Sequence, residues 1–456
     1  MEPRETEGGI GSSETSYQLG LGYGKAPYLD MIAYQSKKYP EMMFSNLMHH
    51  FSVENFRAAF EKLDASKAVG SDRITKEKYG ENLDANLEKL HNRMRQMAYR
   101  PADARVVLIP KMDGDKRPIA ISNFEDKLVQ KVMADILVAI YDHDFKRFSF
   151  GFRPKRSCHG ALSYLYNKLR RHNLSWVADV DLKNFFNTIN HQKLLELLEV
   201  RVTDKRFLRY VNRMLRSGIL VEGMSQKAEE GTPQGSIVSP VLANIYLHTV
   251  LDKWFEKTIK PELSGELVRY ADDFIAAFKT EQNAKDFIEK LEIQMGEFGL
   301  QLNANKTKLL PFSADNKTSK TFDFLGFTFY WGRFGREHKA TLKVRTSMKT
   351  FKKKLQEIKY WIKANRNRYR RSVLWEKIAV KLRGHYNYFG VLWNRTKLHH
   401  FYAAVIGVLA RWLNRRSQKF SYGWWGFRML IRGNPLPLPP KGGKLIDLTS
   451  ALVYCT

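Results

Sequence analysis

Between Glu266 and Phe278 the chain reads Glu-Leu-Val-Arg-Tyr-Ala-Asp-Asp-Phe-Ile-Ala-Ala-Phe, and no other stretch constrains the fold as much. Two short apolar runs of strand character flank a tight turn, so they are expected to pair as a hairpin. The pairing thrusts Asp272 and Asp273 out at the tip, where burial would otherwise be costly. Adjacent acids repel, so a cation should sit beside them. Magnesium suits, because it takes carboxylate oxygens while keeping positions for water and phosphate. Asp-Asp is also ordinary turn chemistry, and the motif therefore needs a partner elsewhere in the chain.

That partner is the short strand Trp176-Val177-Ala178-Asp179-Val180-Asp181. Asp179 and Asp181 are two residues apart and point to the same face, so either could meet the hairpin acids across a sheet. Asp181 is preferred because it closes the strand and because Phe186 follows five residues later, where a ring could sit beneath a nucleotide sugar. Two-metal phosphoryl transfer needs carboxylates from separate elements bridging ions about 3.5–4 Å apart. Asp181 and Asp272 suit that task, with Asp273 in support and two Mg2+ ions as the expected cofactor. The competing reading is a set of salt-bridged acids, which three converging carboxylates in a basic protein disfavour.

The chain is strongly basic: 76 Lys and Arg against 47 Asp and Glu give a net charge of +29. So large an excess calls for a polyanion, and nucleic acid is the leading partner. From Trp331 to Pro440 there are 26 Lys or Arg against three acids, Glu337, Glu357 and Glu376, so this segment alone carries +23. Aromatic residues in Tyr386-Asn387-Tyr388-Phe389 and Trp424-Trp425 offer stacking faces beside phosphate-binding groups. One basic helix is commonly a solvated face, but a segment this long and lopsided predicts an RNA-binding surface. No run approaches the roughly 18 apolar residues of a membrane span, and residues 1–16 do not read as a secretory signal. A cytoplasmic location is expected, with nucleoid association when the protein acts on DNA. Cys158 and Cys455, the only cysteines, cannot form a disulfide framework or a four-cysteine zinc site and read as structural thiols.

The order of elements predicts an α+β fold. Residues 1–27 are glycine-rich and expected to be flexible; 28–100 read as helices of an N-terminal extension. Arg105 to Lys111 and Lys116 to Ile121 read as two strands around an Asp-Gly turn. Helices follow over about Asn123–Tyr141 and up to Arg171, and return after the Asp181 strand until the Gly231-Thr232-Pro233-Gln234-Gly235 loop. After Phe327 the pattern is mainly helical, over about Thr346–Arg366, Val373–Phe389 and Leu398–Arg416, until Pro435, Pro437, Pro439 and Pro440 end regular structure.

Six blocks occur in a characteristic order: Arg105 to Ile121, Phe150-Gly151-Phe152-Arg153-Pro154, Asp181 with Phe185-Phe186, Gly231 to Gly235 with Ser239-Pro240-Val241-Leu242-Ala243-Asn244, Tyr270-Ala271-Asp272-Asp273 and Phe324-Leu325-Gly326-Phe327. Over about residues 35–430 the chain resembles a bacterial group II intron reverse transcriptase and maturase. The resemblance implies a right-hand polymerase: fingers and palm with an antiparallel sheet over 101–330, an all-α basic thumb over 331–435 and a tail over 436–456. It makes Asp181, Asp272 and Asp273 the catalytic acids and adds the Leu182 backbone carbonyl as a metal ligand. Lys111 and Arg117 would hold the incoming triphosphate, with Arg105 nearby. Gln234 would pack against nucleotide and template, its flanking glycines letting backbone approach the ligand. Phe186 would exclude a 2′-hydroxyl and so select deoxynucleotides. Lys306 resembles a lysine beside the active site, though a solvated loop lysine is the alternative. Phe324, Leu325 and Gly326 resemble the primer grip, and Arg383, His385, Tyr386, Arg415 and Arg416 fall in the thumb, where primer or RNA would be bound. His385 reads as an RNA or packing contact, since no Cys or His lies at metal-ligand spacing.

The implied partners are an RNA template, including the chain's own intron RNA, a DNA primer or target, and deoxynucleoside triphosphates. Two departures stand out. Many relatives continue into a DNA-binding and endonuclease region with paired cysteines, whereas this sequence stops soon after Pro440, so target cleavage is not expected. Asn187 and Asn190 stand where relatives often carry acids. Other readings are an RNA-gripping maturase with incidental polymerase, and a relative recruited to phage defence, CRISPR spacer acquisition or DNA repair. An RNA-dependent RNA polymerase would share the acids, but the Phe186 ring argues against it.

Overall fold

The computed structural model describes residues 27–450 apart from 111–115, 172, 222–223, 227–229, 233–234, 315–318 and 416–421. The expectation for residues 1–27 therefore falls almost wholly outside the described residues. The chain begins with α1 (Pro27–Lys38), α2 (Val53–Lys62) and α3 (Leu83–Arg95). Ser52 caps α2 by accepting from the Asn55 amide, which satisfies one orphan donor of the first turn. Next come β1 (Ala104–Pro110), β2 (Lys116–Ile121) and α4 (Phe124–Tyr141). α4 is buried on nearly every side, from Phe124 to Tyr141, because its apolar residues recur all round the helix. It forms the axis of a core shared by the N-terminal helices and the underside of the acidic sheet.

α5 (Cys158–Arg171), β3 (Trp176–Val180), α6 (His191–Glu199), α7 (Lys205–Leu215), β4 (Ile219–Val221) and β5 (Met224–Gln226) follow. Neither β4 nor β5 was legible as a strand, because three residues carry no periodicity and the surrounding pattern is helical. They complete a sheet of order β2-β1-β4-β5. β4 lies parallel to β1, so this sheet is mixed and not purely antiparallel. α8 (Ser239–Leu247) runs on through two π segments, 248–253 and 255–259.

The acidic hairpin is β6 (Glu266–Tyr270) and β7 (Asp273–Phe278), followed by α9 (Glu281–Glu297) and β8 (Lys308–Pro311). Their sheet has the order β6-β7-β3-β8 and is antiparallel throughout. A third sheet, β11-β10-β9, comprises β9 (Phe322–Phe324), β10 (Phe327–Phe334) and β11 (Lys339–Thr346). This corrects the all-α expectation for 331–435, whose first residues are a hairpin. In Lys339 to Thr346, Leu342, Val344 and Thr346 alternate inward, a period of two that the dense positive charge obscured.

The remainder is helical: α10 (Met348–Asn365), α11 (Arg371–Phe389), α12 (Arg395–Leu413) and α13 (Trp424–Gly433). α11 buries Leu374, Ile378, Leu382, His385, Tyr386 and Phe389, an i, i+4 stripe that leaves its basic residues outside. Beyond the prolines the chain does not trail away. Leu436 and Leu448 are buried, and the Leu448 carbonyl accepts from Ser163 Oγ at 2.5 Å and Asn167 Nδ2 at 2.9 Å, strapping this stretch onto α5. Among the described residues no helix is long and apolar enough to cross a membrane.

Candidate active site

Strand register brings the acids together. β3 pairs with β7 up to Val180 opposite Phe274, so one further step sets Asp181 across from Asp273. On β6 and β7 the last pair is Tyr270 with Asp273, leaving Ala271 and Asp272 as a two-residue turn. Ala271 takes φ 58, the left-handed conformation such a turn demands and a strained one for a residue with a Cβ. Its neighbours explain why it is held there: a Cβ on Gly151 would meet the Ala271 nitrogen at 2.3 Å, so backbone packs on backbone at the turn.

Asp273 remains accessible to solvent, yet the surrounding protein mass and then the charges of Asp179, Asp272 and Asp181 push its pKa up to about 7. Asp179, the alternative not chosen from the sequence, lies on the same face. Burial raises it to about 6 against the opposing pull of Lys308, its partner on β8. Asp181 is tethered: Asn303 Nδ2 donates to its Oδ2 at 3.0 Å and Lys306 Nζ lies 3.3 Å from the same oxygen. Its backbone is pinned as well, with the Asn303 amide donating to the Asp181 carbonyl at 2.8 Å and Leu182 bridged to Leu302. Asn303 was missed. In Leu-Asn-Ala-Asn-Lys only the lysine carries a chemical signal, and the side chain becomes significant only once the loop folds back over β3.

Of the paired phenylalanines, Phe185 is in the core and Phe186 is half-exposed, their rings edge to face at 5.4 Å. The Phe186 carbonyl accepts from the Thr232 amide at 2.6 Å. The described glycines of this loop also permit close approach within the protein. A Cβ on Gly231, at φ 85, would meet Asn187 Cα at 2.7 Å, and one on Gly235, at φ 116, would meet the Ala120 carbonyl at 2.4 Å. They let backbone approach protein backbone, so the loop spans from the Phe186 turn to β2. Gln234 and Lys111 lie outside the described residues. The β1–β2 register sets position 117 opposite Ile109, hence on the face of the sheet that Arg105 occupies. The Arg105 guanidinium is engaged with the Val69 carbonyl, at 2.8 Å from Nη2.

Leu325 and Gly326, at φ 51 and 81, form the two-residue turn between β9 and β10, while Phe324 is buried. The turn is docked on the C-terminal helices: Tyr388 Oη donates to the Leu325 carbonyl at 3.0 Å and the Ser347 amide to the Gly326 carbonyl at 2.9 Å. Arg383 on α11 and Arg415 in the turn after α12 are exposed, and Arg416 lies outside the described residues. His385 and Tyr386 are buried. The His385 ring stacks on Phe401 at 3.6 Å, and burial lowers its pKa to about 4. Of the two roles expected for His385, this geometry is that of packing.

Among the described residues no three His, Cys, Asp or Glu side chains close round one point as a ready-made cage. That accords with the donor set, since carboxylate sites for magnesium supply one or two protein oxygens and leave the rest to water and phosphate. Both described partners of Asp181 sit on Oδ2, leaving Oδ1 for a ligand, and a lysine ammonium already rests against this carboxylate. Asp181, Asp272 and Asp273 thus fit a divalent cation.

Asp181, Asp272 and Asp273 thus gather at the ends of two neighbouring antiparallel strands, and comparison with known proteins shows the family. A profile of the reverse transcriptase (RNA-dependent DNA polymerase) family matches residues 109–329. The chain is 30% identical over 272 residues to protein YkfC of Escherichia coli, covering 53% of this chain and 71% of that protein. It is 33% identical over 299 residues to the uncharacterized 91 kDa protein in cob intron of Schizosaccharomyces pombe, covering 62% of this chain and 36% of that one. With the group II intron-encoded protein LtrA of Lactococcus lactis it shares 31% identity over 228 residues, 50% of this chain and 38% of LtrA. The chain belongs to the reverse transcriptase family, and its relatives include group II intron-encoded proteins. It spans less than two fifths of the length of the two intron proteins.

Proposed function

We propose that this chain is an RNA-directed DNA polymerase that extends a DNA primer along an RNA template, and that it also binds group II intron RNA as a maturase. The observation that carries the polymerase reading is the β3–β7 register, which sets Asp181 across from Asp273 beside the Asp272 turn. In this reading the four-stranded sheet β6-β7-β3-β8 is the palm, the β1–β2 hairpin belongs to the fingers and α10 to α13 form the thumb of a right hand. Two magnesium ions would be held by Asp181, Asp272 and Asp273, with the Leu182 carbonyl as a further ligand; bound there, they would lower the charge barrier between the primer hydroxyl and the triphosphate. The chain's own residues do the rest. Asn303 orients the Asp181 carboxylate, Lys306 supplies a cation at the site's edge, and the half-exposed Phe186 ring excludes a 2′-hydroxyl. Arg105, Lys111, Arg117 and Gln234 receive the nucleotide, and the Leu325–Gly326 turn bears on the primer. The test is extension of a DNA primer on an RNA template with magnesium: the parent extends and Asp272→Ala does not. Near-normal extension by that variant removes the catalytic assignment.

The maturase reading rests on the +23 carried by residues 331–440 and on the exposure of Arg383 and Arg415. Its test is splicing of the cognate intron RNA, which Asp272→Ala should still promote.

A further inference from the structure

Directly beneath the acidic turn lies a fully buried charged cluster with no place in the chemistry above. Arg269, on β6 two residues before Ala271, has no solvent exposure. Its Nε donates to Asp252 Oδ1 at 2.8 Å and its Nη2 to Asp252 Oδ2 at 2.5 Å, a bidentate pair in the core. Nη1 donates both to Asn244 Oδ1 and to the Ala271 carbonyl, each at 2.9 Å. Four of the five guanidinium donors are thereby engaged. Asn244 then turns its amide outward to the neighbouring strand of chain, Nδ2 donating to the Gly151 carbonyl at 2.7 Å. Gly151 is the residue whose backbone presses on Ala271. The cluster therefore grips the turn from two sides: by the carbonyl of its strained residue, and by the segment that abuts its nitrogen.

The helix that supplies Asn244 and Asp252 is built for this. Asn244 ends the Ser239–Asn244 block on α8, and Asp252 lies eight residues later in the first π segment. An α turn carries position i+4 somewhat past its starting direction, whereas the wider π turn brings it back. The two offsets oppose one another and keep Asn244, His248 and Asp252 on one face toward Arg269. His248 is buried beside the pair, its Nδ1 3.7 Å from Asp252 Oδ2. Burying an ion pair is a poor way to gain stability over an apolar core, but it is an effective way to hold a carbonyl in one place. A guanidinium tied on three sides cannot turn, so its remaining bond to Ala271 has a fixed origin.

We propose that Asp252, Arg269 and Asn244 are positioning residues that hold Ala271 in its left-handed conformation and thereby aim the Asp272 and Asp273 carboxylates. This rests on the polymerase reading of those acids. An apolar substitute at Arg269 would strand Asp252 unpaired in the core, so the conservative Arg269→Lys is the first variant, keeping the charge but losing the fork. Asn244→Ala is the second, leaving the ion pair intact and cutting the link to Gly151. Both are measured in the full chain beside the parent by primer extension on RNA across a magnesium titration, Mn2+ binding by electron paramagnetic resonance, RNA filter binding and thermal unfolding.

A displaced carboxylate costs turnover steeply, since misplacement by about 1 Å is worth about a hundredfold. The expected result is a tenfold or greater fall in kcat in both variants, a several-fold rise in the magnesium concentration for half-maximal rate, and weaker Mn2+ binding. RNA affinity and KM for primer–template should stay within about twofold. Full kcat with the parent's magnesium dependence in a folded variant overturns the proposal. So does a loss of rate that disappears when each variant is assayed well below its own melting temperature, because that marks a merely structural role. A parent that neither extends primers nor binds Mn2+ removes the polymerase reading instead.

Discussion

Replacing Lys306 with alanine separates an ion pair that merely decorates a loop from a cation that serves the reaction, because the two predict different magnitudes. Lys306 Nζ lies 3.3 Å from Asp181 Oδ2, and the side chains are 64% and 44% exposed. At that distance in water the Coulomb attraction is about 1 kcal/mol. Screening and the entropy of fixing a long side chain reduce the net value of such exposed pairs to about 0.2–1 kcal/mol. Lys306→Ala should therefore lower the unfolding free energy by less than about 1 kcal/mol. A charge-assisted hydrogen bond to a nucleotide phosphate is worth about 1.5–3 kcal/mol, which at about 1.4 kcal/mol per decade is a loss of about 10- to 150-fold in kcat/KM for the incoming deoxynucleotide. Single-nucleotide incorporation at varied nucleotide concentration measures the second quantity, and urea unfolding of the same protein the first. If kcat/KM stays within threefold of the parent, Lys306 is a solvated loop lysine. If stability falls by 2 kcal/mol or more, the ion pair is structural and the assigned role is wrong.

Further outcomes follow from the same geometry. Phe186→Ala should raise incorporation of ribonucleotides relative to deoxynucleotides in competition assays; unchanged discrimination would remove the ring from that role, and buried Phe185 could not take it without repacking the core. Replacing Arg383 and Arg415 together with alanine should weaken RNA binding and flatten its salt dependence, by about 0.7 in log–log slope for each single-strand phosphate that the protein no longer neutralises, while extension recovers at high template concentration. Filter binding over a salt series checks this, and an unchanged slope would mark the arginines as solvated surface. Asp273 has its pKa raised to about 7 by its surroundings and the neighbouring acids, so the folded state keeps a proton that the unfolded chain releases near pH 4. The Asp273 contribution to stability is therefore full at low pH and lost as pH rises from about 4 through 7. Thermal unfolding in a metal chelator should show Asp273→Asn gaining on the parent between pH 5 and 8, and an equal pH slope in both proteins would refute it.

The acidic hairpin was legible because three signals coincide there: two short apolar runs, a tight turn and adjacent acids. The strand leading to Asp181 was legible from less, a short apolar run with acids two residues apart on one face. What stayed hidden depends on packing between segments far apart in the chain. Arg269 reads as one more basic residue in a basic protein, and nothing local reveals that it is fully buried against Asp252 and Asn244. The glycines at 231 and 235 announce close approach but not its object, which is the backbone of Asn187 and Ala120. The β10–β11 hairpin was masked because its alternation falls on residues where positive charge is dense. His385 was ambiguous for a related reason: an imidazole within a basic, aromatic run serves RNA or the core equally well until helix phase is known. The stripe of α11 settles that phase and turns it inward.

That helix also explains how a basic surface can be tied to an acidic site without sharing residues with it. The last turn of α11 carries Tyr388, whose hydroxyl donates to the Leu325 carbonyl at 3.0 Å and whose own carbonyl meets His159 Nε2 at 2.7 Å. The Tyr388 ring stacks on Phe327 at 5.7 Å, and the Cys158 side chain lies beside both Tyr388 and Tyr270, the latter adjoining the acidic turn. The inward face of α11 is thus anchored to the β9–β10 turn, to the start of α5 and to the edge of the acidic hairpin. Arg383 projects from the exposed face of the same helix. Because the anchor is apolar and hydrogen-bonded while the grip is ionic, salt acts on one and hardly on the other. On the proposed reading, weakening the grip leaves the acids where they are, whereas disturbing Tyr388 alters where the grip stands relative to them. Gripping and copying would then be separable at the surface of α11 and coupled through its core.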